Sequence, residues 1–350
     1  MNRPPPWADP RDGRSRRIWA ASIAVSVAAL ALVSMVVDWS LVRSHLTGVR
    51  VPFLLAAVLS FLCLLLTRAL RLRRMLSDEL GALPLDACLR VTSLHQLAFA
   101  LLPSGLGDVT FPALVRRFLG GSLSRSAPAL VLMRTQDLVV LTVFAVTGFG
   151  GAVVASGIGV PAMLGAAALG GLLLYGSDRF IHALVVALHW VLRQLHWSAE
   201  IRLQRLVRSI ETARAWVTSL GEPSLRLSLS FWCATSWCLS TLTLWLLFQA
   251  YCAPVSLPEA LFLIAGLNVV GAIAIVSVGK LGVSELGLAS LLVLLGADFE
   301  EAGALALSVR PSALLIAILV PLLVESGFRL SGRGDASRRR SEIEESRRES

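Results

Sequence analysis

The chain has 350 residues, of which 55% are hydrophobic and 16% charged, with a formal net charge of +9; its mean hydropathy of +0.73 excludes an ordinary soluble globular domain. The positive balance does not signal nucleic acid, because the arginines gather beside apolar runs, as the cytoplasmic flanks of membrane spans do. The fold class that remains is an all-α polytopic membrane protein of about eight transmembrane helices plus re-entrant or broken-helix elements, with no nucleic-acid partner.

Residues 1–17 form a basic, cytoplasmic N-terminus that carries Arg14, Arg16 and Arg17. The apolar run at 18–37 is too long for a typical signal-peptide core, and Asp38-Trp39-Ser40 offers no small-x-small cleavage site, which predicts an uncleaved first span. A second run at 51–70 leads back to the cytoplasmic side, where the arginines of 68–74 and Arg90 are placed. Residues 91–125 begin and end near arginines and hold two apolar pieces, each too short to cross alone. This pattern predicts a re-entrant dip.

The runs at 127–149 and 153–175 make a further pair of crossings. Residues 178–226 form a basic, Trp-containing segment with apolar positions at helical spacing, read as a helix lying along the cytoplasmic surface. His182, His189 and His196 recur there every seven residues, about 10 Å apart along a helix axis, too far for successive ones to share a metal. The runs at 227–250, 257–276, 286–295 and 303–324 add four crossings, so both termini are cytoplasmic. Residues 18–328 are one integral membrane domain, and the charged tail at 329–350 is predicted to be disordered.

Two glycine-broken polar stretches interrupt the apolar runs, one in each half, and indicate a two-fold internal repeat. The first is Pro103-Ser104-Gly105-Leu106-Gly107-Asp108; the second is Ser277-Val278-Gly279-Lys280-Leu281-Gly282-Val283-Ser284-Glu285. Lys280 is the only lysine in the chain. Near them, within apolar segments, stand Arg134, Asp137 and Arg310, with His95, Gln96 and Asn268 as neutral companions. A central charge costs about 2.5–3.5 kcal/mol on insertion scales, so these groups are expected to face one another or a hydrated cavity.

Arg134 and Asp137, three apart, share a helix face and can pair. Helices starting after Gly107 and after Gly282 would aim free backbone N–H groups into the breaks, as the discontinuous helices of transporters do. Together with Arg134, Lys280 and Arg310 they suit an anionic group such as a phosphate. Asp108, Asp137 and Glu285 either balance those cations or take up protons in a transport cycle, and sequence does not separate the two roles.

The chain has no HExxH, GxSxG or Walker A sequence, and Ser104 and Ser284 lack an evident base, so no enzyme activity is expected. No cofactor and no metal site is expected either. Cys63, Cys88, Cys233, Cys238 and Cys252 form no CxxC pair and read as small apolar residues.

At these motifs the chain resembles the membrane region of the lysylphosphatidylglycerol synthase family, including its stand-alone, flippase-like members, over most of residues 15–328. Family members carry a Pro-x-Arg-x-Gly-Glu element, which Pro103, Gly107 and Asp108 match with Gly105 in place of arginine. Arg134 and Asp137 match a Glu-Arg-x-x-Asp element, with Met133 at the first acid. Ser277, Gly279, Leu281, Gly282 and Glu285 match a Ser-x-Gly-Gly-Leu-Gly-x-x-Glu element, with Lys280 replacing a glycine, and Arg310 is similar to a later arginine. One positive charge has thus moved from the first motif to the second.

The resemblance implies handling or flipping of lipids with anionic or derivatised head groups. It does not imply lipid lysylation, which resides in a soluble aminoacyl-transferase domain that this chain is expected to lack. The expected function is a flippase or transporter moving a phospholipid or polyprenyl-phosphate-linked precursor across the bacterial inner membrane. Its partners are membrane lipids, with a membrane-associated glycosyltransferase or aminoacyl-transferase as a further candidate. The alternative is a non-catalytic membrane subunit or scaffold for such a transferase, with the polar motifs as structural glue.

Overall fold

The computed structural model describes residues 37–102, 106–121, 123–153, 223–273 and 281–330, preceded by residues 24, 27–31, 34 and 35. Every regular element named among them is an α-helix. The expected span at 153–175, most of the span at 18–37, the surface helix with its three histidines, and nearly all of the tail lie outside the described residues.

Helix α1 (Trp39–Thr47) starts at Asp38, whose carboxylate accepts from Ser40 N at 2.8 Å, an N-terminal cap. Helix α2 (Val51–Leu80) begins with a proline in its first turn and ends at Gly81, whose φ is +79°. Helices α3 (Leu85–Leu101) and α4 (Leu106–Leu119) flank the first break, and α5 runs over Leu123–Val153. The second half repeats this order with α6 (Pro223–Ala250), the short pair α7 (Leu257–Ile273) and α8 (Val283–Leu294), and the long α9 (Phe299–Leu330).

Four stretches are long and apolar enough to cross a bilayer: Val51–Ser77, Ala129–Gly150, Ser224–Ala250 and Phe299–Leu330. They belong to α2, α5, α6 and α9. The crossings expected at 257–276 and 286–295 are shorter apolar helices, α7 and α8, which pack on each other as α3 and α4 do. Helices α7 and α8 thus flank the second break as a packed pair, a helical hairpin matching that of α3 and α4. Residues 223–226, expected in the surface segment, already belong to α6, and residues 329–330, expected in the tail, still belong to α9.

The packing has two-fold character. Helices α2 and α6 pair with each other, and each hairpin leans on the other half's long helix: α3 on α9, α7 on α5. The contacts α2 with α3 and α4 with α5 likewise have counterparts in α6 with α7 and α8 with α9. Arg50 N donates to Ala250 O at 2.8 Å, so the start of α2 lies beside the end of α6 and the two run antiparallel. That is the signature of inverted repeats.

Burial follows from the helix period. Leu55, Leu59, Leu62 and Leu66 form an exposed stripe on α2, while Ala57, Phe61, Leu64 and Leu65 are buried in a core shared with Leu244, Leu247 and Phe248 of α6. An outward apolar stripe suits lipid as solvent. Polar contacts across the seam add specificity: Ser60 Oγ donates to Leu239 O at 3.1 Å, and Thr243 Oγ1 donates to Ser60 Oγ at 3.0 Å. Such bonds between membrane helices contribute about 0.6 kcal/mol each on average.

The two motif glycines act differently. A Cβ on Gly107 would lie 2.7 Å from Phe99 Cα, so this glycine permits α4 to approach the α3 backbone. Gly282 has φ +77° and precedes the first turn of α8, a left-handed conformation that disfavours other residues.

Candidate functional site

The two hairpins and the long helices enclose a cavity of about 230 Å3. Its walls are largely apolar, from Phe61 on α2 to Leu267 on α7, but four arginines line it: Arg68, Arg71, Arg134 and Arg310. The acid among its lining residues is Asp137. Cations that deep need partners or a hydrated ligand.

Asp137 is the hub of the first half. Its Oδ1 accepts from Arg71 Nη1 at 3.0 Å, Trp237 Nε1 at 3.1 Å and Cys233 Sγ at 3.4 Å, while its Oδ2 meets Arg134 Nη1 at 3.4 Å. Arg71, only 2% exposed, also donates through Nη2 to Gln136 Oε1 at 2.7 Å and to Met133 O at 3.2 Å. Two arginines, an indole and a thiol thus surround one carboxylate. The arrangement fixes Arg71 as structure rather than as a free ligand group.

Arg134 bridges the hairpin to α5. Its Nε donates to Asp108 Oδ2 at 3.1 Å and its Nη2 pairs with Asp108 Oδ1, a two-pronged contact that fixes both side chains. The expected pair of Arg134 with Asp137 is present, but Asp108 is the closer partner. His95 Nε2 lies 3.4 Å from Asp108 Oδ1 without hydrogen-bond geometry, and its ring meets Phe111 edge-on at 5.3 Å. Both motif acids, Asp108 and Asp137, are therefore engaged in holding arginines.

The remaining two arginines are differently placed. Arg68 donates to Gln96 Oε1 and sits 6.0 Å over the Trp237 ring, with no carboxylate partner among the described residues. Arg310 on α9 leaves its buried Nε without a hydrogen-bond partner among the described residues. Glu285, 2% exposed, accepts from Ser284 Oγ at 3.1 Å, and no ion pair joins it to Arg310 among the described residues. Guanidiniums that line a cavity without a carboxylate partner are suited to receive an anion.

Of the residues singled out in the sequence, Asp108, Arg134, Asp137, Glu285 and Arg310 converge on this region, and Gly107 and Gly282 shape its two hairpins. Pro103, Ser104, Ser277, Gly279 and Lys280 lie outside the described residues. Helix α4 begins at Leu106, just ahead of Gly107, and α8 begins at Val283. Arg68 and Arg71, two of the arginines of 68–74 that the sequence reading assigned to a cytoplasmic flank, were not singled out there as site residues, yet both line the cavity. Helix α2 continues to Leu80, so these two face the interior while Arg73 and Arg74 are exposed. Their spacing of three residues, one helix face, is the signal that separates them from their neighbours.

In comparison with known proteins, a family model described as lysylphosphatidylglycerol synthase TM region matches residues 19–320. No curated protein and no solved structure matches the chain.

Proposed function

The chain belongs to the lysylphosphatidylglycerol synthase transmembrane-region family, and on that premise we propose that it is a lipid flippase or transporter. Its substrate is an amphiphile with an anionic or derivatised head group, either a phospholipid or a polyprenyl-phosphate-linked precursor. The membrane is the bacterial inner membrane, with both termini cytoplasmic, and no covalent step is involved. The observation that carries this reading is the cavity between the two hairpins, where four arginines face one carboxylate inside apolar walls.

In this reading the acyl chains stay in lipid while the head group enters between α3/α4 and α7/α8. Arg68 and Arg310 engage it, because Arg71 and Arg134 are already committed to Asp137 and Asp108. The hairpin helices lean on the opposite halves, so a small rocking of one repeat against the other would move the opening from one face to the other. Reconstitution into liposomes with labelled phospholipids and polyprenyl phosphates tests this. Movement faster than in protein-free vesicles is the expected result, and movement no faster than in such vesicles for any of these lipids would reject it.

The alternative role, a membrane scaffold for a glycosyltransferase or aminoacyl-transferase, is favoured by one observation: the Arg71–Asp137 and Arg134–Asp108 pairs satisfy each other as helix glue would. Cysteines placed beside Gly105 and Gly282 separate the readings. Labelling by aqueous thiol reagents supports a hydrated path, and protection from both faces supports the scaffold.

A further inference from the structure

Each hairpin leans on the long helix of the other half, and the two contacts are made differently. Between α7 and α5 the backbones touch: a Cβ on Gly148 would lie 2.6 Å from Pro258 O and closer still to Phe262 N. The Phe149 and Phe262 rings meet beside it with centroids 5.5 Å apart. Between α3 and α9 the contact ends in a charge pair. Arg90 donates through Nε to Glu325 Oε2 at 2.8 Å and through Nη2 to Oε1 at 2.6 Å, a fork matched to a carboxylate. The pair lies just past the cavity, which Thr92 on α3 and Ala317 on α9 still line. Glu325 is about 12 Å beyond Ala317 along the helix axis.

Both partners keep another contact if the pair parts. Arg329, one turn on along α9, donates through Nε to Glu325 Oε1 at 3.2 Å. The Arg90 guanidinium lies 4.7 Å over the Phe118 ring of α4, in its own hairpin. Parting therefore strands neither charge, which separates a latch from a brace. Pro321 stands between the cavity and the pair, inside α9. It has no N–H to give to Ala317 O, the bond its place in the helix calls for, so α9 is weakened at that turn. The matching helix α5 has no proline after Pro128, near its start. Its contact with α7 at Gly148 thus rests on an unbroken stretch.

We infer that the Arg90–Glu325 pair is the latch of a gate at the cytoplasmic end of the cavity, and that the end of α9 swings about Pro321 when it opens. The glycine-packed contact of α7 on α5 is the fixed side of that motion. The inference deepens the transport reading above and rests on it: head groups load from the cytoplasmic leaflet, through the seam between α3 and α9. A closely packed backbone contact parts as a whole or not at all, whereas a single forked ion pair can exchange its partners for others. The two ends of the molecule are thus unequal in how readily they open.

The test is aqueous access to the cavity, read at Ser240→Cys, a lining position, in the full-length chain with the exposed Cys63, Cys238 and Cys252 replaced by serine. A membrane-impermeant thiol reagent is added to inside-out or right-side-out vesicles. Glu325→Gln and Arg90→Gln should each raise the labelling rate from the cytoplasmic face about fivefold, with no change from the outer face. Arg90→Lys, which keeps the charge, should stay within about twofold of the parent. Pro321→Ala in the parent should slow cytoplasmic labelling about threefold, and it supplies the reading if a latch variant fails to fold. Labelling that is unchanged in these variants, that rises equally from both faces, or that is as fast with Arg90→Lys as with Arg90→Gln overturns the inference and leaves the transport reading standing. No labelling from either face in any variant removes the hydrated cavity and ends both.

Discussion

The first and second hairpins share a geometry but not a chemistry. Around α3 and α4, Asp108, Arg134, Asp137 and Arg71 form a closed network in which the acids and these two arginines have partners. Around α7 and α8, Glu285 and Arg310 form no ion pair among the described residues, Asn268 bonds to its own helix at Ile264 O, and the surrounding core is apolar. Duplicated packing thus holds two different devices. One half is a braced platform, and the other presents a cation, Arg310, that forms no ion pair with a carboxylate among the described residues.

Removing the platform's hub should have the largest effect. Asp137→Ala leaves Arg71 buried without its carboxylate, and breaking a buried pair in this way costs about 3–5 kcal/mol; thermal unfolding in detergent reads it. Glu285→Gln, the matching change in the other half, should cost clearly less. Equal losses would dissolve the contrast between the halves.

The glycines come next. Gly107→Val drives a side chain into the α3 backbone and should destabilise by about 1–3 kcal/mol, the usual range for overpacking. Gly282→Ala meets a left-handed backbone instead and should cost about 1–2 kcal/mol. Melting curves of the two variants compare a packing constraint in one hairpin with a conformational one in the other.

Smaller in energy, but sharper for function, is Arg310→Gln. It should slow lipid movement about tenfold, equivalent to about 1.4 kcal/mol, without lowering the melting temperature. A parallel loss of stability would make Arg310 another brace. The smallest effect concerns the charge relocated between the motifs: Lys280→Ala should reduce transport, and the double change Gly105→Arg, Lys280→Gly should recover part of it in the liposome assay. No recovery would mean that the two cations are not equivalent.

Much of this was legible in the sequence because bilayers impose simple rules. Apolar length located the four long helices, and paired short runs between arginines revealed the first hairpin. The second hairpin was harder to recognise, since residues 257–276 and 286–295 read as two separate apolar runs and only their mutual packing shows them as a pair. Arg68 and Arg71 were hidden by a rule that works on average. An arginine cluster after an apolar run marks a membrane flank, but here the helix continues past it and turns two of the arginines inward. Trp237 and Cys233 gave no signal at all, because an indole or thiol in an apolar helix is ordinarily core, and its contact with Asp137 lies about a hundred residues away in the chain.

The cross-packing of each hairpin on the opposite half's long helix sets a timetable for biosynthesis. When α5 has entered the membrane, Trp237 and Cys233 have not been made, and neither has α9, against which α3 rests. The interval between Asp137 and Trp237 spans 100 residues, on the order of five to twenty seconds at common rates of translation. Through that time Arg71 and Asp137 must rely on each other, which makes their early pairing a condition for holding the nascent first half in the bilayer until its counterpart arrives.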